Sequence, residues 1–194
     1  MAGSLRAGLV ESLLANVQSP NANHPLAGRD DDFRISMAGA QEKTALLQIK
    51  TPRGKRWHIP QGATPTTHIF KLPLGLVGNR RADMSESVAN EWLCMMLLKH
   101  LGLDAANCEM AQFGDQKVLI VERFDRRWAA DQSWIARLPQ EDFCQATGTA
   151  GQHKYEADGG PGIRAGLALL SASSNRNPDR LRFVLAQLAF WLLA

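Results

Sequence analysis

"ISMAGAQEKTALL", residues 35–47, is the stretch on which the reading of this chain turns. Three small residues, Ala38, Gly39 and Ala40, lie between "FRIS" (33–36) and "TALLQI" (44–49), which both have the apolar texture of strands and are expected to form a hairpin. Small residues let a backbone approach a ligand closely, and successive N–H groups in a tight turn can point at phosphate oxygens. The turn runs on into Gln41, Glu42 and Lys43 instead of the Gly-Lys-Ser/Thr of a P-loop, so Lys43 supplies the positive charge. An ordinary hairpin turn would look the same. The stretch gains meaning only from its neighbours along the chain.

The first of these is "THIFKLP" (67–73), a strand bounded by Pro65 and Pro73. Alternation puts Lys71 on the face of Ile69 and opposite Phe70 and Leu72. An ammonium there either faces water or, if covered, needs a counter-charge. "SESVANEWLCMMLLKHLGL" (85–103) is the clearest helix. Ser85 suits an N-cap, Lys99 and His100 suit the last turn, and Gly102 comes just after. Val88, Trp92, Met95 and Met96 fall at helical spacing. Glu91, three residues after Val88 and four before Met95, shares that apolar side. A carboxylate so placed needs a cation, and Lys71 is the natural one if the helix packs on the sheet. "CEMAQF" (108–113) and "KVLIVERF" (117–124) then read as two strands joined by Gly114-Asp115. The second ends in Glu122, Arg123 and Phe124, a strand end whose backbone could offer an N–H and a C=O to an adenine edge. A plain strand terminus would have the same appearance.

Around this centre, residues 4–17 read as a short helix with Leu5, Leu9, Leu13 and Val17 on one face. Residues 18–32 form a turn-rich connector, "TPRGKR" (51–56) a second turn and "WHIP" (57–60) a short strand. The arginines of "VERFDRRW" are read as a solvated strand end, residues 138–162 as loop, and roughly 162–173 and 178–194 as two helices. Strand-rich and helix-rich portions are segregated, which favours an α+β fold over a parallel α/β sheet. The expected divisions are 1–32 (helix and connector), 33–125 (strand-rich) and 126–194 (helical).

The bulk numbers fit a globular chain: 194 residues, 45% apolar, 21% charged, net charge +3. No basic tract argues for nucleic acid. Cys94, Cys108 and Cys144 are too scattered for a disulfide framework and are expected to be buried in a reducing, cytoplasmic setting. His58 and His68 show no metal spacing. The longest apolar run, "FVLAQLAFWLLA" (183–194), falls short of the ~20 residues that span a bilayer, so no membrane role is expected.

Phosphate turn, lysine strand, glutamate helix and adenine-facing strand end occur in the order of a protein-kinase N-lobe, with the start of a C-lobe behind them. "FRISMAGAQEKTALL", "TPTTHIFKLP", "VERFDRRW", "RLPQEDFCQ" and "KYEADGGPG" closely resemble the HipA family, the serine/threonine kinase toxins of HipA–HipB toxin–antitoxin modules, over about residues 33–194. The resemblance implies that Ala38, Gly39, Ala40, Gln41, Glu42 and Lys43 form the ATP phosphate loop. It implies that Lys71 holds the phosphates, positioned by Glu91, and that Glu122, Arg123 and Phe124 are the hinge that binds adenine. Ser36 matches the serine that the family autophosphorylates; a phosphate there would repel ATP. Gln140 is expected to face the substrate cleft. ATP and Mg²⁺ are the implied cofactors. The implied partners are a HipB-like antitoxin, DNA only through that antitoxin, and an aminoacyl-tRNA synthetase whose phosphorylation arrests growth.

The departures set a second expectation. The family's N-terminal subdomain has no counterpart here, and "TDGHAKN", which carries the family's catalytic Asp and a Mg²⁺-binding Asn, does not occur in residues 1–194. Asp142 and Asp158 are loop acids without that context. The chain therefore reads as a fragment of such a kinase, expected to lack catalytic and metal-binding residues, to bind ATP poorly, to be inactive alone and to be unstable or aggregate through an uncovered apolar helix. The alternative is an interaction module that binds an antitoxin or a partner kinase chain.

Overall fold

The computed structural model describes residues 5–18, 41–77 and 81–193. The expected strand "FRIS", and with it Ser36, Ala38, Gly39 and Ala40, lies outside the described residues. In chain order the elements are α1 (Ala7–Gln18), β1 (Lys43–Thr51), β2 (Gly54–His58), β3 (His68–Lys71), β4 (Gly75–Val77), β5 (Ala82–Met84), α2 (Ser87–His100), β6 (Cys108–Phe113), β7 (Gln116–Glu122), β8 (Arg126–Trp128), β9 (Ile135–Arg137), α3 (Phe143–Thr147), α4 (Ile163–Leu170) and α5 (Arg176–Leu193). Helices and antiparallel strands are mixed along the chain: α1 precedes the strands, α2 lies among them, and α3, α4 and α5 follow them.

The chain divides into two units. The first takes the residues up to Met96 together with Ala106–Arg137, and the second takes Leu97–Ala105 and Leu138–Ala194. The first unit is built on a five-stranded antiparallel sheet of order β2-β1-β3-β7-β6. Ala45 to Gln48 are buried in succession on β1, so both faces of that strand are covered. Phe70 and Leu72, on and just after β3, are fully buried with Leu46, Val118 and Ile120 against Val10 and Leu14 of α1. The helix therefore presents Val10 and Leu14, with Leu13 and Val17 at the rim. The expected Leu5/Leu9/Leu13/Val17 face is displaced by about one residue, because α1 straddles several strands at once. Gly114 turns the β6–β7 hairpin at φ 57°, and the Glu11 carboxylate of α1 occupies the space a Cβ would need there.

Other boundaries also move. β2 starts at Gly54 and ends at His58, so Ile59 and Pro60 fall outside it. Helix α2 begins two residues later than expected. Ser85 is held in a turn by Asp83, which accepts its N–H at 3.0 Å, and Ser87 Oγ accepts the N–H of Leu74 at 3.0 Å. The β4–β5 and β8–β9 hairpins were not legible, being three-residue strands without a period to read. Of the cysteines, Cys94 is buried, whereas Cys108 and Cys144 are only half-buried.

In the second unit the stretch expected as loop contains α3. Asp142 caps it by accepting the Gln145 N–H at 2.8 Å, while Gln145 Oε1 accepts the Asp142 N–H at 2.9 Å. Phe143 of α3 and Phe183 of α5 meet at 5.6 Å between ring centroids. Gly166 of α4 is buried between them; a Cβ there would lie 2.8 Å from Phe183 Cζ and 3.3 Å from Phe143 Cε1. Gly166→Val should therefore overpack this junction and cost about 1–3 kcal/mol. A urea midpoint of the second unit that does not move would contradict this packing. Leu181, Leu185, Leu188 and Leu192 of α5 are exposed at helical spacing. No described helix is long and apolar enough to cross a membrane.

Candidate nucleotide site

Lys71 is the last residue of β3, the middle strand of the sheet. Burying Phe70 and Leu72 on the α1 side sends Lys71 to the other side, where its Nζ donates to Glu91 Oε1 of α2. Both side chains keep 25% exposure, so the pair is partly desolvated yet open to solvent or a ligand. The segment after the small turn lies alongside. Leu72 N–H donates to Glu42 O at 3.0 Å, Gln41 Nε2 donates to Leu72 O at 2.8 Å, and Lys43 is the cross-strand partner of Lys71. Gln41, Glu42, Lys43, Lys71 and Glu91 are thus gathered at one end of β3. Lys43 is half-buried and already has an interaction partner.

The strand end formed by Glu122, Arg123 and Phe124 sits at the other end of β3, because His68 pairs with Glu122 while Lys71 pairs with Leu119. Three residues of strand, roughly 10 Å at ~3.3 Å per residue, separate the two groups. The Glu122 N–H is taken by Asn107 O at 2.8 Å and the Arg123 N–H by Thr67 O at 2.9 Å. Phe124 is 76% exposed, and among the described residues neither its N–H nor its C=O bonds another backbone group. Phe124 therefore offers a backbone N–H and C=O that no backbone group among the described residues takes.

Two of the arginines of this segment, Arg123 and Arg126, are not solvated, contrary to expectation, whereas Arg127 is exposed as expected. Asp125 is a buried carboxylate, 7% exposed at its side chain, between guanidinium groups that are 15% (Arg123) and 11% (Arg126) exposed. Arg123 grips it with two bonds, Nε to Oδ1 at 2.9 Å and a terminal nitrogen to Oδ2 at 2.8 Å, and Arg126 adds a third at 2.7 Å. Arg126 Nε also donates to Thr66 O at 3.0 Å, which ties the segment leaving β7 to the one entering β3. Hydrogen bonding from Arg123, reinforced by the charges of both arginines, holds the Asp125 carboxyl below the usual carboxylate range despite burial. The acid-flanked arginines of "RFDRR" were the one available signal. Their partner Thr66 lies 60 residues from Arg126, which no local pattern reveals.

Gln140 is exposed and belongs to the second unit. Among the described residues no three His, Cys, Asp or Glu side chains converge as metal ligands.

A basic side chain paired with a helix carboxylate thus lies about three residues along the sheet from the strand end at Glu122. Comparison with known proteins gives the family. The model of the HipA-like C-terminal domain matches residues 35–194, and the chain belongs to that family. It is 33% identical over 183 residues to the serine/threonine-protein kinase toxin HipA of Shewanella oneidensis, covering 90% of this chain and 39% of that protein. A protein of Sinorhizobium fredii named as a kinase is 33% identical over 168 residues, covering 87% of this chain and 37% of the other. Among solved structures, the Shewanella oneidensis complex of HipA, HipB and its operator DNA matches with a TM-score of 0.66 at 28% identity, over 97% of this chain and 43% of that one. The chain spans about two fifths of the length of these relatives.

Proposed function

We propose that this chain carries the nucleotide-holding part of a HipA-like serine/threonine kinase toxin, with Lys71 as the phosphate-binding cation and Glu91 as the residue that aims it. The Lys71–Glu91 pair carries this proposal. The two residues are 20 apart in sequence on a strand and a helix, and they meet on the face of the sheet that α1 leaves uncovered. In this assignment residues 33–125 act as an N-lobe, Ala38 to Lys43 cover the phosphates and the Phe124 backbone receives the adenine edge. Ser36 is the autophosphorylation switch and Gln140 lines the substrate cleft.

The complete enzyme would move the ATP γ-phosphate to a protein serine, with an aminoacyl-tRNA synthetase as the substrate class. ATP supplies the transferred group, and Mg²⁺ ligands would come from residues other than those described. Residues 136–194 hold no aspartate in a "TDGHAKN" context, so these 194 residues alone should bind nucleotide without turning it over. A HipB-like antitoxin is the proposed partner, with operator DNA reached through it. The HipA–HipB–DNA neighbour supports that partner, and it also favours a second reading in which this chain serves only to dock the antitoxin.

Titration with ATP and Mg²⁺ tests the proposal. Saturable binding is expected, and Ser36→Glu should weaken it roughly fivefold or more, since like charges ~4 Å apart repel by about 1 kcal/mol even in water. Absence of any saturable binding, beside a tight antitoxin complex, would favour the docking reading. An unchanged affinity in Ser36→Glu would remove the switch role of Ser36.

A further inference from the structure

A concave site lies on the α1 side of the sheet, opposite the face that carries Lys71. It is a cavity of about 380 Å³ between the start of α1, strand β2 and the end of β6. Its apolar wall is Val10, Trp57 and Phe113. The Trp57 ring is fixed by edge-on packing against His68 and Phe70, with centroids 5.0 and 4.8 Å away. Three cations, Arg6, Lys55 and Arg56, line the same cavity, and no acidic side chain does. All three are exposed, and none has a salt bridge among the described residues.

Three unneutralised cations around an apolar cavity repel one another, and an incoming carboxylate relieves that repulsion. The apolar wall asks for something else from the same ligand: a side chain with hydrocarbon surface to bury. We infer that this groove binds an acidic peptide segment, one apolar side chain seated against Trp57, Val10 and Phe113 and the flanking carboxylates meeting Arg6, Lys55 and Arg56. Nucleic acid fits less well. Single strands are held by open aromatic faces on which bases stack, whereas Trp57 is packed into the core beside Phe70. Three cations also make a small footprint for a duplex.

The test uses the full 194-residue chain and a fluorescein-labelled peptide, Asp-Glu-Leu-Phe-Glu-Asp, monitored by anisotropy. Its neutral counterpart, Asn-Gln-Leu-Phe-Gln-Asn, is the control. Saturable binding of the acidic probe is expected, weaker by at least about fivefold for the neutral peptide, for the double variant Lys55→Glu/Arg56→Glu, and in ~0.5 M salt. Arg6→Ala, a single truncation just ahead of α1, should weaken binding in the same direction, which guards against a folding defect in the double variant. The inference fails if the acidic peptide does not bind, if the neutral peptide binds equally, or if both sets of variants leave affinity unchanged. It also fails if a random-sequence DNA duplex displaces the probe at lower concentration than unlabelled peptide does, since the groove would then be a nucleic-acid site.

Discussion

Asp125→Ala should destabilise the first unit by about 3–5 kcal/mol, the usual cost of removing one member of a buried ion pair. The magnitude reflects the groups left behind. Arg123 and Arg126 would remain largely buried, close together and without the carboxylate that accepts three of their hydrogen bonds. Asp125→Asn keeps the shape and some of the bonding but not the charge, and it should fall between alanine and wild type. The pH dependence provides a second measurement. Because the folded-state pKa of Asp125 is depressed, its contribution is fully present above the unfolded value of ~3.9 and is lost as pH falls through the lower folded value. The wild type should therefore lose stability below about pH 4 more steeply than Asp125→Ala does. Parallel acid limbs in urea melts at several pH values would show that Asp125 is not charged and gripped as described.

Lys71→Met should weaken ATP binding by roughly thirtyfold, the equivalent of one charge-assisted hydrogen bond of about 2 kcal/mol. The effect on folding should be much smaller. Lys71 and Glu91 are each a quarter exposed, and a solvated pair of this kind contributes no more than about 1 kcal/mol. Glu91→Gln leaves the cation in place but frees its orientation, so a smaller loss of affinity is expected, again with little change in melting temperature. This separation between binding and stability distinguishes a phosphate-holding lysine from one that merely ties α2 to the sheet. If Lys71→Met melts several degrees lower yet binds nucleotide as well as wild type, the pair is a structural brace.

The core of this site was legible in the sequence because it rests on short periods. Strand alternation put Lys71 opposite Phe70 and Leu72, and helical spacing put Glu91 beside Val88; one ion pair joins the two deductions. The Gly114-Asp115 hairpin was legible for the same local reason. The features that escaped depend on distance along the chain or on elements too short to show a period. Asp125 is buried by Arg123 and Arg126 only because Thr66, some sixty residues earlier, lies beneath them. The hairpin of Arg126–Trp128 with Ile135–Arg137 offers three residues a side, too few for alternation to be recognised. The buried face of α1 was displaced because a helix spanning several strands rests on two neighbouring rows of side chains instead of one.

The position of Lys71 in the sheet has a consequence for hydrogen exchange. Strand β3 is flanked by β1 and β7, which are flanked in turn by the edge strands β2 and β6. Fraying begins at edges, so amides of β2 and β6 should exchange through local opening, whereas those of Ile69 and Phe70 should exchange only when the whole unit opens. The lysine proposed to hold phosphate is thus mounted on the last strand to let go. Its geometry should persist through fluctuations that loosen the rim of the sheet, and should disappear only with the fold itself.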